Sequence, residues 1–277
     1  MNPNQMGWPP SQMLMAAGND GLMATALLPT LPKDRNDCAL DQAVACAELE
    51  PMSPQERLIW ARTRFGERFA MTTSFGIQAA VLLHMASEVA KRFGTALPVI
   101  WVDTGYLPPE TYQYAELLSD RLKLDLHVAQ ASCSPARMEA LRGQLWNTGR
   151  LEDLELYNYI RKVEPLDQLL EELQVACWAS GVRLQQTEHR QGMRHLEAVR
   201  QRWSLRPLLN WTNKDIFYYM QDHDLPQHPL FEKGYSTVGD WHSSGPDGLE
   251  ASGRATRFGG LKQECGIHLP GLMGEGI

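Results

Sequence analysis

The chain has 277 residues, 43% of them hydrophobic and 21% charged, with a formal net charge of −7. This is the composition of an ordinary water-soluble domain with room for one large core, and the acidic balance excludes a general nucleic-acid binder, whose affinity rests on clustered Lys and Arg. Five cysteines, odd in number and without a CxxC pair, point to a reduced cytoplasmic setting, and neither a membrane span of roughly 18 apolar residues nor a signal peptide is apparent.

In chain order, residues 1–35 are rich in Pro, Asn, Gly and Met, show no sustained period, and read as a flexible extension. "CALDQAVACAELE" (Cys38–Glu50) then reads as an amphipathic helix, and "SPQERLIWARTRFG" as a second one. In the latter Ser53 caps, Pro54 suits the first helical position and Glu56 completes a capping box. From Phe69 strands and helices alternate. "FAMTTS", "LPVIWVDT", "DLHVAQA" and "ACWASGVR" read as strands, while "GIQAAVLLHMASEVAKRFG", "PPETYQYAELLSDRLK", "SPARMEALRGQLW" and "VEPLDQLLEELQV" read as helices. Such alternation predicts an α/β fold, a parallel twisted sheet with helices on both faces. A last helix, "TNKDIFYYMQDHDL", is capped by Thr212, and beyond it the Gly-rich sequence reads as a mobile C-terminal arm. The expected organisation is an extension over 1–35, an α/β nucleotide-binding domain over 36–238 and the arm over 239–277.

Ligands of such sheets sit at the carboxyl ends of the strands. "TTSFGIQ" places Ser74 and Gly76 between a strand and a helix start, where backbone N–H groups can approach a phosphate. "VDTGY" (Val102–Tyr106) sets Asp103 beside a tight Gly turn, although a lone Asp there is more often a turn or cap residue. Cations follow at intervals: Arg161 and Lys162 in "IRKVEP", Arg183 and Arg190 in "GVRLQQTEHR", Arg254 and Arg257 in "GRATRF". Each pair alone is ordinary surface chemistry; together they supply positive charge for an anion in an acidic protein. The tail holds Cys265 in "KQECGIH", between Lys262 and His268, which would lower a thiol pKa, and beside Glu264, which opposes them. Cys265 and His268 could also be half of a zinc site, but no second pair of ligands accompanies them. Cys177, inside "ACWAS", reads as a core residue.

Taken in order, "TTSFGIQAAVLLH", "VDTGYLPPETY", "RKVEPL", "HPLFEKGYSTVGDWHS" and "ECGIH" resemble the phosphoadenylyl sulfate (PAPS) reductases, over a span from about Pro54 to His268. The resemblance implies an adenine-nucleotide α-hydrolase-like fold, related to the PP-loop ATP pyrophosphatases. It implies an oxidoreductase of sulfate assimilation and cysteine biosynthesis that converts PAPS to sulfite and adenosine 3′,5′-bisphosphate. Cys265 would be the nucleophile, passing through an S-sulfocysteine that thioredoxin or glutaredoxin resolves. Lys162, Arg254, Arg257 and His268 would surround the sulfo group. Ser74, Phe75, Gly76, Asp103 and Gly105 would line the nucleotide, with Arg183 and Arg190 on its phosphates. The sequence departs from the family's two adjacent arginines by carrying Leu184 after Arg183, with Arg190 or Arg194 as substitutes.

The nearest alternative is an adenylyl sulfate (APS) reductase, which carries a [4Fe–4S] cluster on a Cys-Cys and a Cys-x-x-Cys motif. Alignment puts those four positions on Tyr157, Asn158, Asp240 and Ser243, none of them a thiol, so no iron–sulfur cluster is expected and no cofactor or metal is called for. An ATP-using transferase of the same fold is disfavoured because "SFGIQA" lacks a Gly-Gly. A nucleotide sensor with an idle cysteine is the non-enzymatic alternative. Neither nucleic acid nor membrane is an expected partner, and a homodimer stays open.

Overall fold

A computed structural model describes residues 31–247 of the chain. Alternation along the strands decides how its layers form. In β1 (Phe69–Thr73) Phe69 and Met71 face one side and Ala70 the other, as the period of two requires. The same split recurs in β2 (Pro98–Asp103), where Val99 and Trp101 oppose Ile100, and in β4 (Cys177–Ala179), where Cys177 and Ala179 oppose Trp178. The first side packs on α2 (Pro54–Phe65), α3 (Ala79–Phe93), α4 (Pro109–Leu122) and α8 (Asn213–Asp222); the second packs on α7 (Glu164–Glu172) through Leu166 and Leu170. Both faces are therefore covered, as expected of a buried sheet.

With β3 (Asp125–Gln130), β5 (Leu196–Val199) and β6 (Arg202–Leu205), the strands lie in the order β3-β2-β1-β4-β6-β5. All neighbours are parallel except β5 and β6, so one edge of the expected parallel sheet is antiparallel. The β5–β6 hairpin was not anticipated. Its turn residues, Arg200 and Gln201, both sit at positive φ (52° and 59°), a conformation normally announced by Asn-Gly. "ACWASGVR" contributes a strand of three residues only, since the chain leaves the sheet after Ala179.

The helix ends follow local chemistry. Ser53 and Glu56 form the expected capping box on α2, and Thr212 with Asp215 forms one on α8. α1 (Gln42–Leu49) starts at Asp41, whose side chain accepts from the N–H groups of Ala43 and Val44. α5 (Pro135–Arg142) is capped by Ser134, and α6 (Leu151–Asn158) has no side-chain cap, which is why its sequence gave no start signal. α6 runs into α7 through a π turn over Tyr159–Val163.

The ends of the expected domain differ from the packing. Pro32 accepts a hydrogen bond from Trp203 Nε1, so residues ahead of position 36 already belong to the fold. Residues 239–244, expected in the arm, pack at the carboxyl end of the sheet, with Asp240 and Ser243 buried. Among the described residues no helix is long and apolar enough to cross a membrane.

Candidate functional site

The loop after β1 turns through Phe75, which holds a positive φ of 45°. A bulky residue pays strain there of order 1–3 kcal/mol, and the compensation is its ring: Phe75 is fully buried, edge-on to Trp101 at 5.1 Å. With the ring pinned inward and its N–H donating to Thr73 Oγ1 at 3.1 Å, Ser74 and Gly76 are left on the outer side, at the start of α3. α3 begins without a side-chain cap, so its first N–H groups are not taken by one and its dipole favours an anion. A Cβ on Gly76 would meet Ser74 Oγ at 3.4 Å and the Val238 carbonyl at 3.6 Å, ordinary contacts that place Val238 on the opposite wall. That wall is held by Ile77, Leu230 and Val238, which form a small core of their own.

These segments enclose a cavity of about 230 Å³ at the carboxyl end of the sheet. Ser74, Gly76, Lys162, Arg183 and Arg190 of the expected site all line it. Arg183 and Arg190 are buried side by side. Arg183 donates to the amide oxygens of Asn213 (3.0 Å) and Gln78, and Arg190 to that of Gln186. Burial, and then the like charge of Arg190, push the Arg183 pKa down to about 10, still charged at neutral pH. Two neighbouring guanidinium groups on one wall make that wall favourable to an anion.

Lys162 reaches the cavity because of the π turn. Glu164 N–H bonds the Tyr159 carbonyl, and the widened turn immediately precedes Pro165, whose ring would clash with the carbonyl of Arg161 in a regular helix. Arg161 thereby points into the β2 end, donating to the carbonyls of Thr104 (2.8 Å through Nε) and Cys133, while Lys162 turns to Asp240 Oδ2 at 2.6 Å. Asp240 also accepts from Thr104 Oγ1 (2.5 Å) and Tyr157 OH (3.0 Å). Burial alone would raise its pKa; the Lys162 ammonium and these donors outweigh that and hold it at about 2. His242, stacked on Trp146 at 4.2 Å and hydrogen-bonded to Tyr157 OH at 3.1 Å, is driven by burial to about 4 despite Asp240, and is neutral at pH 7.

Three of the residues expected along the nucleotide tie the loops together. The Phe75 ring faces the core. Asp103 is buried and ties the turn together, accepting from Gly105 N–H (2.8 Å), Tyr112 OH (2.7 Å) and Gln130 Nε2 (2.7 Å). Gly105 sits at φ 74°, and a Cβ there would meet Pro135 Cγ at 2.6 Å and an Arg161 nitrogen at 3.0 Å. None of the three lines the cavity. Leu184 does not line it either, and of the two suggested substitutes Arg190 does while Arg194 is exposed. Arg254, Arg257, Cys265 and His268 lie outside the described residues.

The sequence reading missed Thr104, Gln78, Ser180 and the role of Asp240. Ser180 Oγ, on the cavity wall, has no hydrogen-bond partner among the described residues. A buried cation at Lys162 needed a counter-charge, and that requirement was the one signal pointing to Asp240. Of the four positions that carry cluster thiols in an APS reductase, Tyr157, Asn158, Asp240 and Ser243, all are buried, Tyr157 OH donates to the Asp240 carboxylate and Ser243 Oγ to the Asp240 carbonyl. Among the described residues no group of three or more His, Cys, Asp or Glu could hold a metal ion.

The model of the phosphoadenosine phosphosulfate reductase domain matches residues 68–246, which contain every segment of this cavity. The chain belongs to the phosphoadenosine phosphosulfate reductase family. Among its relatives is the phosphoadenosine 5′-phosphosulfate reductase of Synechococcus sp., 52% identical over 80% of this chain and 95% of the relative. That of Synechocystis sp. is 48% identical over 83% of this chain and 92% of the relative. A crystal structure of the PAPS reductase of Candida auris, a phosphate complex, aligns with a TM-score of 0.63 at 27% identity, covering 74% of this chain and 98% of that one. The FMN adenylyltransferase of Candida glabrata, with FAD and pyrophosphate, aligns at a TM-score of 0.53 and 13% identity over 77% of this chain and 73% of that one, a likeness of fold alone. The reductase family and the fold shared with these structures agree with the expected architecture.

Proposed function

We propose that the chain reduces PAPS to sulfite and adenosine 3′,5′-bisphosphate. The observation that carries this reading is the meeting of Ser74 and Gly76, Lys162, Arg183 and Arg190 at one cavity in a member of the PAPS reductase family. The nucleotide occupies the cavity, with its phosphates on Arg183, Arg190 and the loop ahead of α3. Its sulfo group faces Lys162, and Arg254, Arg257 and His268 complete the cationic surround. Phe75, Asp103 and Gly105 support the loops rather than touch the nucleotide.

Cys265, as thiolate, attacks the sulfur of the sulfo group. An S–S bond forms, the O–S bond to the 5′-phosphate breaks, and its electron pair leaves on the phosphate oxygen. The product on the chain is Cys265–S–SO₃⁻. A thiolate of thioredoxin or glutaredoxin then attacks Cys265 Sγ and expels sulfite, and the carrier's second thiol releases Cys265 as the carrier disulfide forms. The segment beyond residue 247 delivers the thiol to the cavity and withdraws it for the redox partner. Such a cycle belongs to assimilatory reduction in a reducing cytoplasm and needs no bound cofactor.

Sulfite release from PAPS and from APS, each with reduced thioredoxin and with glutaredoxin, tests this reading, with an iron assay alongside. PAPS turnover by an iron-free protein is expected. Equal turnover of APS by a brown, iron-loaded protein would overturn it.

A further inference from the structure

A carboxylate on the wall of an anion-binding cavity works against its ligand. Asp240 is such a group: it is 1% exposed, it lines the cavity, and its low pKa keeps it ionised. Its cost must be offset by something it supplies. Its three contacts identify that. Thr104 Oγ1 from the end of β2 and Tyr157 OH from α6 fix the carboxylate, one on each oxygen, and Lys162 Nζ binds at 2.6 Å to the oxygen shared with Tyr157. The ammonium also lies 5.5 Å from the centre of the Tyr157 ring. A lysine side chain is a flexible four-carbon stem; this frame holds the Lys162 ammonium at one place on the wall.

We infer that Asp240 is a positioning residue, which holds the Lys162 ammonium at the cavity wall for the transferring group at the expense of ground-state anion affinity. The inference rests on the reading of the chain as a PAPS reductase. It differs from a merely structural role in the sign of its effects. Loss of the carboxylate removes a repulsion from the cavity and loosens the hold on the ammonium, so ground-state binding should hold or tighten. Turnover should fall, because the charge no longer waits where the transition state needs it.

The test uses the full chain and its Asp240→Asn, Lys162→Met and doubly substituted variants. Two quantities are read: calorimetric affinity for adenosine 3′,5′-bisphosphate, and kcat for sulfite release from PAPS with reduced thioredoxin. For Asp240→Asn, kcat should drop about tenfold or more while nucleotide affinity stays equal or rises. In the Lys162→Met background the same substitution should change kcat by less than about twofold, since neighbours acting through one another are not additive. Thr104→Val, which removes one support of the carboxylate and keeps the side-chain shape, should show the same split in smaller measure, and it serves if Asp240→Asn does not fold. Parallel losses of affinity and kcat, or an undiminished effect of Asp240→Asn without Lys162, would make the pair structural and overturn the inference. An unsubstituted chain that releases no sulfite would instead overturn the functional reading on which it rests.

Discussion

Arg183 and Gly105 are both buried in the logic of the site, yet they predict opposite phenotypes. Arg183 donates to neutral amides and lies beside Arg190, so its charge is available to a phosphate. A hydrogen bond to a charged group contributes about 1.5–3 kcal/mol. Arg183→Ala should therefore weaken adenosine 3′,5′-bisphosphate binding by roughly 10- to 100-fold while leaving thermal stability nearly unchanged, as calorimetry and melting would record. Gly105→Ala should do the reverse. Its φ of 74° and the 2.6 Å approach of Pro135 leave no room for a methyl group. Displacement of the turn should cost about 1–3 kcal/mol of unfolding free energy, read by denaturant titration, with nucleotide affinity falling less than for Arg183→Ala. The sequence named Gly76 and Gly105 alike but could not separate them, because a glycine on the cavity wall and a glycine that admits a proline ring are spelled alike. Asp103 shows the same ambiguity: its carboxylate accepts from Gly105, Tyr112 and Gln130, contacts that no sequence pattern announces.

The helix–π turn–helix over α6 and α7 is the element on which the chemistry turns. Pro165 gives the physical reason for it, and "RKVEP" thus encodes a geometry as well as two charges. Pro165→Ala restores an N–H and removes the clash, allowing the turn to tighten to a regular helix and rotate Lys162 away from Asp240. The protein should melt at the same temperature or higher while sulfite release falls severalfold; equal activity at equal stability would mean that the widened turn is incidental. Elements with strong local signals were readable in advance: the boxed starts of α2 and α8, and the strand–helix alternation from Phe69 to α7. Those set by tertiary contacts were not. The β5–β6 turn uses Arg200 and Gln201 at positive φ, α6 has no cap, and the 239–244 segment is ordered by Asp240 rather than by any periodicity of its own.

For the molecule as a whole, buried histidines set the acid limit of stability. His228 is fully buried, accepts from Leu230 N–H at Nδ1 (3.1 Å), and so carries its proton on Nε2 toward Thr111 Oγ1 (3.1 Å). Burial lowers its pKa to about 4, as it does for His242. Between about pH 6.5, where an unfolded histidine titrates, and pH 4, the unfolded chain binds more protons than the folded one, and stability rises with pH. Melting temperature should therefore fall as pH is lowered through that window. Asp240 adds a further loss from about pH 4, where an unfolded aspartate titrates, down to its folded value near 2. Replacing His228 by Asn should flatten the dependence between pH 6.5 and 4; an unchanged slope would assign it to other groups. The proposed function rests on Cys265 as the nucleophile. Mixing the reduced protein with stoichiometric PAPS, without any thiol donor, and reading intact mass tests it most directly. One SO₃ unit should appear on the chain, localise to Cys265, vanish on adding reduced thioredoxin, and be absent from Cys265→Ser, which should still bind adenosine 3′,5′-bisphosphate. An unmodified chain that nonetheless releases sulfite, or a Cys265→Ser variant of full activity, would contradict it.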